Sequence, residues 1–298
     1  MKVGMNLPVM VPGLTRELVR QWCRRIDAGP WSSIAAGERI TFPNPEIMVT
    51  LSCAAAWTER VKVAFHVSVV PLHDAVMLAK QVATLDVLSG GRVCLGVGVG
   101  AREEDYRATG AAWDSRLLTR LESKVETMRR VWGGSFVPEG ATRAVEPQPL
   151  QIGGPPLLAG VLMPQAIARA SRWADGITGF SFGPSREDVA MRFEAARQAW
   201  KDAGRDKPPR LVTGFWFALG PDPDEQVASY LDRYLAFMGE GSGRALAPNI
   251  TAKSPAALRE ALLMCRELGA DEVLLVPTTS DPAEADRAAD VVASLPRG

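Results

Sequence analysis

The chain is poor in the residues that build metal centres and cross-links. In 298 residues there are two histidines, His66 and His73, and four cysteines, Cys23, Cys53, Cys94 and Cys265. The cysteines lie far apart with no paired spacing, three of them inside apolar segments, and read as reduced core thiols. Neither Cys-x-x-Cys nor His-x-x-x-His occurs, which argues against a zinc enzyme. Net charge is missing too, with 34 basic and 34 acidic side chains, so no overall field steers the protein to nucleic acid or an acidic surface. The opening MKVGMNLPVMV holds one basic residue, an early proline and no apolar stretch long enough for a signal or a span, so the expected location is the cytoplasm. A small neutral or mixed-charge ligand fits this balance.

What is present is a beat of strand and helix. Short apolar or β-branched runs at Lys2–Leu7, Trp31–Gly37, Val61–Val69, Val93–Gly100, Pro156–Gly160, Gly176–Phe180, Leu211–Leu219 and Glu272–Pro277 read as strands. Between them, Thr15–Asp27 places Leu18, Val19, Trp22, Cys23 and Ile26 on one helical face, and Leu118, Leu121, Val125, Met128 and Trp132 make another stripe. A last helix is expected over Ala283–Leu295. Eight such units predict an α/β fold of the TIM (β/α)8 barrel kind. A doubly wound open sheet is the alternative, but its first βα turn needs Gly-x-Gly-x-x-Gly and here reads Pro8-Val9-Met10-Val11-Pro12-Gly13. The reading is one domain over 1–298 with insertions near 133–156 and 222–255; the first has room for a short extra strand, and the second a helix near Asp224–Met238.

Barrel enzymes work where their strands end, so the candidate site residues follow each strand. Asn6, Glu38, Arg39 and His66 stand there. His66 reads either as a pocket residue or as a hydrogen-bonded core residue, and Glu38-Arg39 either as a working pair or as an ion pair holding the rim. In CLGVGVG, Gly96, Gly98 and Gly100 strip the side chain from one strand face, which suggests that something flat or bulky approaches the backbone. Arg102 and Tyr106 follow in a charge run that is either a phosphate anchor or a solvated helix start. Ser181 and Ser185 precede a helix over Arg186–Ala203; they form a second candidate phosphate cradle, or Ser185 is only an N-cap. Gly179, Ser181 and Gly183 match Gly-x-Ser-x-Gly, yet both histidines come earlier in the chain, against the order of an α/β-hydrolase triad.

The run VVPLHDAVMLAKQVATLDVLSGGRVCLGVGVGAREEDYRATGAAW, Val69–Trp113, closely resembles the luciferase-like monooxygenase family, and Pro156–Gly179 resembles its later strand, helix and Ala-Asp-Gly turn. The resemblance implies a barrel that binds FMN or the 5-deazaflavin coenzyme F-420 and oxidises or reduces a small organic substrate. It implies cofactor contacts at Asn6, His66, Val67, Gly98, Gly100, Arg102, Tyr106, Ala159, Gly160, Gly179, Phe180, Ser181 and Ser185. It also implies a bulge with a non-prolyl cis peptide at the end of the third strand, where His66-Val67 stands. The family usually has an acid then histidine after the second strand; here Glu38-Arg39 departs from that. Arg39 is therefore assigned to electrostatic stabilisation, and the acid role stays open between Glu38 and His66. F-420 is preferred over FMN, a homodimer through first-half helices is expected by analogy, and the substrate wall is expected from Gly133–Pro156 and Gly239–Pro255. The rival reading is a catalytically silent barrel that binds a flavin or no ligand.

Overall fold

The computed structural model describes residues 1–296; the last two positions of the expected domain, 297 and 298, lie outside the described residues. Eight parallel strands close into a barrel in sequence order: β1 Lys2–Asn6, β2 Ser33–Ala36, β3 Lys62–Val69, β4 Val93–Gly98, β5 Leu157–Ala159, β6 Gly176–Thr178, β7 Arg210–Phe217 and β8 Glu272–Pro277. Closure comes from β1 pairing with β8, Lys2 opposite Glu272 through Met5 opposite Leu275. The strands read as continuous apolar runs because parallel strands are covered on both faces. Inside the barrel a small layer of Ala35, Ala64, Cys94, Leu158, Val212 and Leu274 is packed, while the larger core fills the space between strands and helices.

The helices are α1 Arg16–Ala28, α2 Ile47–Ala56, α3 Ala75–Leu88, α4 Glu103–Thr109, α5 Leu117–Trp132, α6 Pro164–Ala170, α7 Arg186–Asp202, α8 Pro223–Tyr234, α9 Ser242–Leu246, α10 Pro255–Glu267 and α11 Ala283–Ala293. Thr15 starts α1 by accepting from the Leu18 N–H at 3.2 Å, and its expected stripe of Trp22, Cys23 and Ile26 is buried. Two residues of the Leu-Asp-x-Leu-Ser-Gly-Gly-Arg stretch act as stitches. Asp86 accepts from the Gln151 main-chain and side-chain N–H groups at 3.0 and 2.8 Å, tying down the segment after α5. Arg92 donates to the carbonyls of Ala55, Thr58 and Val61, holding α2 to β3.

The first insertion forms no extra strand: no regular element lies between Trp132 and Leu157. The second starts with α8, ends its first stretch in a 3-10 turn at Ala236–Met238 and continues into α9. Among the described residues no helix is long and apolar enough to cross a membrane, and no three His, Cys, Asp or Glu side chains cluster to hold a metal.

Candidate active site

A cavity of about 330 Å³ opens at the carboxyl ends of the strands. Its wall on one side is the end of β3, where the register against β4 shifts between Phe65 and Ser68 and the His66–Val67 peptide is cis. This bulge explains the alternate glycines, and corrects the expectation that they clear space for a ligand alone. A Cβ on Gly96 would stand 2.2 Å from the Phe65 carbonyl oxygen and 3.1 Å from Val67 Cγ1. On Gly98 it would meet Val67 Cγ2 at 2.9 Å, on Gly160 Val67 Cγ1 at 2.9 Å, and on Gly100 Val69 Cγ1 at 3.1 Å. The bare face of β4 is thus the seat of Val67 and Val69, pushed across by the bulge. The hollow remains beside it, and Gly98, Gly100, Gly160 and Val67 all border it.

The cavity floor carries His66 and Asn6. His66 Nδ1 lies 3.3 Å from Asn6 Oδ1, while Asn6 Nδ2 donates to the Leu275 carbonyl at 3.2 Å. The imidazole rests over Gly214 of β7, where a Cβ would come 2.7 Å from His66 Cε1, so this glycine gives the ring its place. Burial drives the His66 pKa down to about 4 against the opposing pull of the Gly179 carbonyl and Glu272. The ring is neutral at pH 7.

Glu38 also borders the cavity and is buried. Its Oε2 accepts from the Val69 N–H at 2.5 Å and the Ser68 hydroxyl at 3.2 Å; Oε1 lies 2.8 Å from His73 Nε2. Arg39, by contrast, stands behind the wall. Its Nε lies 3.3 Å from Asp105 Oδ2, and the other carboxylate oxygen accepts from the Ile40 and Thr41 N–H groups and the Thr41 hydroxyl. Burial, with Arg102 nearby, pulls the Arg39 pKa down despite Asp105. Burial alone would raise the Asp105 pKa, but the hydrogen bonds of Thr41 and the Arg39 cation hold it below the usual carboxylate range. Arg39 thus pairs with Asp105 and not with its neighbour Glu38, which corrects the Glu38-Arg39 ion pair that the sequence left open; Arg39 Nη1 is buried and unpartnered.

The roof is aromatic and comes mostly from residues that the sequence did not mark as site residues. Trp216, at the end of β7, packs against Phe180, Phe182, Tyr230 and Tyr234 with ring centroids 4.6 to 6.0 Å apart. Tyr230 and Tyr234 stack along α8, four residues apart on one helical face. Burial pushes the Tyr230 pKa far up, so its phenol stays protonated. Arg102 sits over Tyr234 and Phe237 at 4.8 and 4.4 Å and borders the cavity, its Nε buried without a partner. Thr178, from β6, brings a buried hydroxyl that has no partner either. Neither Gly133–Pro156 nor Gly239–Pro255 lines the cavity; the inserted wall is Tyr230, Tyr234, Leu235 and Phe237. An apolar stripe in the expected helix over Asp224–Met238 was the available signal for it.

Asn6, His66, Val67, Gly98, Gly100, Arg102, Gly160, Phe180 and Glu38 are therefore brought together around one hollow. Tyr106, Ala159, Gly179, Ser181, Ser185 and Arg39 do not border it. Tyr106 donates to the Val99 carbonyl at 2.6 Å and supports the wall from behind. Ser181 donates its hydroxyl to the Gly183 carbonyl, and Ser185 caps α7 by accepting from the Asp188 N–H, so both take part in the turn that leads into α7.

The match to known proteins covers nearly the whole chain. A family model described as luciferase-like monooxygenase matches residues 10–289. An uncharacterized protein of Mycobacterium tuberculosis (strain ATCC 25618 / H37Rv) is 33% identical over 184 residues, 59% of this chain and 62% of that protein, so the match spans less than two thirds of the relative's length. Among solved structures, an F420-dependent secondary alcohol dehydrogenase in complex with an F420-acetone adduct superposes with a TM-score of 0.78 at 15% identity, covering 100% of both chains. The oxygenating constituent of 3,6-diketocamphane monooxygenase from Pseudomonas putida, a type II Baeyer-Villiger enzyme in complex with FMN, gives 0.70 at 17% identity, covering 99% of this chain and 97% of that one. At these identities the solved neighbours speak for the barrel, and the family model for descent: the chain belongs to the luciferase-like monooxygenase family.

Proposed function

We propose that the chain is an oxidoreductase that holds a reduced flavin-type cofactor, coenzyme F-420 or FMN, in the cavity at the carboxyl ends of its strands and acts on a small organic substrate. The observation that carries this reading is the make-up of the hollow. It joins an apolar wall of Val67, Phe180 and Trp216 to two buried polar groups without partners, the Thr178 hydroxyl and Arg102 Nε. A flat ring with an anionic tail matches both features: the ring covers apolar surface and the tail answers the unpaired cation. Both solved neighbours were captured with a ring of this kind. F-420 is preferred because the resemblance sets a bulge at the end of the third strand in the deazaflavin branch, and β3 carries one.

Such a cofactor supplies two-electron chemistry when bound. The chain's residues do the rest. Neutral His66 orients through Asn6 and offers a hydrogen bond without a charge; Glu38 holds or moves a proton at its carboxylate; Arg102 attracts an anionic group; the rings over the cavity exclude water and hold an apolar substrate. Arg39 acts at a distance, fixing Tyr234 and the rim.

The test is a titration of the purified protein with FMN and with F-420 separately, read by cofactor fluorescence, followed by turnover of ketone, alcohol and enone panels with and without oxygen. Micromolar binding of one cofactor and turnover lowered by Glu38→Gln support the reading. Binding without turnover favours the silent barrel. Binding of neither overturns the proposal.

A further inference from the structure

We propose that His73 carries protons between solvent and the Glu38 carboxylate at the cavity wall, a role that rests on the oxidoreductase reading above. His73 follows the 3-10 turn Val70–Leu72 at the foot of α3, and its ring is partly exposed. One nitrogen, Nε2, is 2.8 Å from Glu38 Oε1. The other, Nδ1, has no hydrogen-bond partner among the described residues. The buried carboxylate, which borders the hollow, and the partly exposed ring therefore form a two-member path from outside the barrel to the cavity wall.

The chemistry of the two members favours transport over simple bracing. The bulge is already held from the other oxygen, since Oε2 takes the Val69 N–H and the Ser68 hydroxyl. An imidazole, unlike an arginine or lysine at the same place, both gains and gives a proton near neutrality. His66 is kept neutral on the cavity floor and Tyr230 keeps its proton, so neither serves as a carrier at pH 7. Arg39, next to Glu38 in sequence, is tied to Asp105 and stays charged. His73 reaches the Glu38 carboxylate from the turn after β3.

The step balances without electrons. Water gives a proton to Nδ1, the Nε2–H bond breaks as an O–H bond forms at Glu38 Oε1, and Glu38 then passes that proton to an acceptor atom in the cavity and returns to the carboxylate. A ring flip or exchange with water restores the starting tautomer. Run backward, the path removes a proton from an alcohol. The charged groups around the ring are Glu38; Asp74, which caps α3; and Lys124 of α5, whose ammonium donates to the main-chain carbonyls of Pro71 and His73 and so fixes the turn.

The test uses the whole protein loaded with whichever of FMN or F-420 binds. In His73→Ala, turnover is expected to fall at least tenfold with cofactor affinity within twofold of wild type, and to be restored by added imidazole and substituted imidazoles in proportion to their basicity. His73→Gln, which keeps a donor toward Glu38 but cannot pass a proton, is expected to be equally slow. A second readout needs no cofactor: the melting temperature of His73→Gln is expected to stay close to that of wild type, since Glu38 Oε2 still holds the bulge through the Val69 N–H and the Ser68 hydroxyl. Wild-type turnover in His73→Gln, or an unrescued His73→Ala with a lowered melting temperature, overturns the relay while leaving the oxidoreductase reading in place. If neither cofactor binds, the oxidoreductase reading falls, and the relay falls with it.

Discussion

The two mouths of the barrel are built from similar parts and finished differently. At the amino-terminal mouth Glu272, the first residue of β8, accepts from the hydroxyls of Ser32 and Ser33 at 2.6 Å each and pairs with Arg210, the first residue of β7. Arg210 also reaches Cys94 Sγ at 3.5 Å, and Gly4 leaves the room that Ser33 occupies. Each partner of that carboxylate is accounted for. At the carboxyl-terminal mouth the buried Thr178 Oγ1 and Arg102 Nε have no partner, and both residues border the hollow. Unpaired buried polar groups cost stability, and a ligand in the hollow would complete these two. One mouth is plugged and the other is open.

Breaking the plug has the largest expected effect. Glu272→Ala strands the Arg210 cation and two hydroxyls, and is expected to lower unfolding free energy in urea by about 3 kcal/mol while cofactor affinity stays within about twofold. At the other mouth, acid is the lever. His66 has its folded pKa pushed down to about 4, below the ordinary 6.5, so the unfolded chain takes up the proton first. Stability is therefore expected to fall as pH drops from about 6.5 to about 4, by on the order of 3 kcal/mol at most, and His66→Gln is expected to flatten that stretch of the urea profile. Gly98→Val sharpens the contrast, because its methyl groups crowd Val67 beside the hollow: cofactor affinity, followed by fluorescence titration, is expected to weaken at least tenfold, about 1.4 kcal/mol. The smallest effect belongs to Gly91→Ala, in the turn before β4 at the plugged end. Its φ of +76° costs an alanine about 1 kcal/mol by thermal melting, with ligand binding untouched.

The barrel was legible in the sequence because parallel strands covered on both faces leave unbroken apolar runs, and because helix stripes such as Trp22, Cys23 and Ile26 repeat at helical spacing. The reason for the glycines was not. Gly96 and Gly98 answer to Val67, a residue some thirty positions earlier, and only the β3–β4 pairing and its bulge bring the two together. Ser181 and Ser185 read as a phosphate cradle or a cap in one dimension, and the turn and the helix cap show only once their partners two and three residues on are seen. The roof was hidden for a third reason. Tyr230, Tyr234 and Phe237 belong to an inserted helix and its final turn, whose folding back over the mouth is a matter of tertiary packing on Trp216. His73 was not marked as a site residue because its partner, Glu38, stands 35 positions earlier, after the neighbouring strand β2.

The most direct measurement of the central claim is a crystal structure of the protein grown with the cofactor that binds in solution. The account predicts ring density in the hollow between Val67 and Trp216, with the anionic tail toward Arg102 and a contact to the Thr178 hydroxyl. Ring density anywhere else, such as the outer groove between α5 and α6 lined by Arg129, Arg172 and Trp173, with the hollow left to solvent, would contradict it.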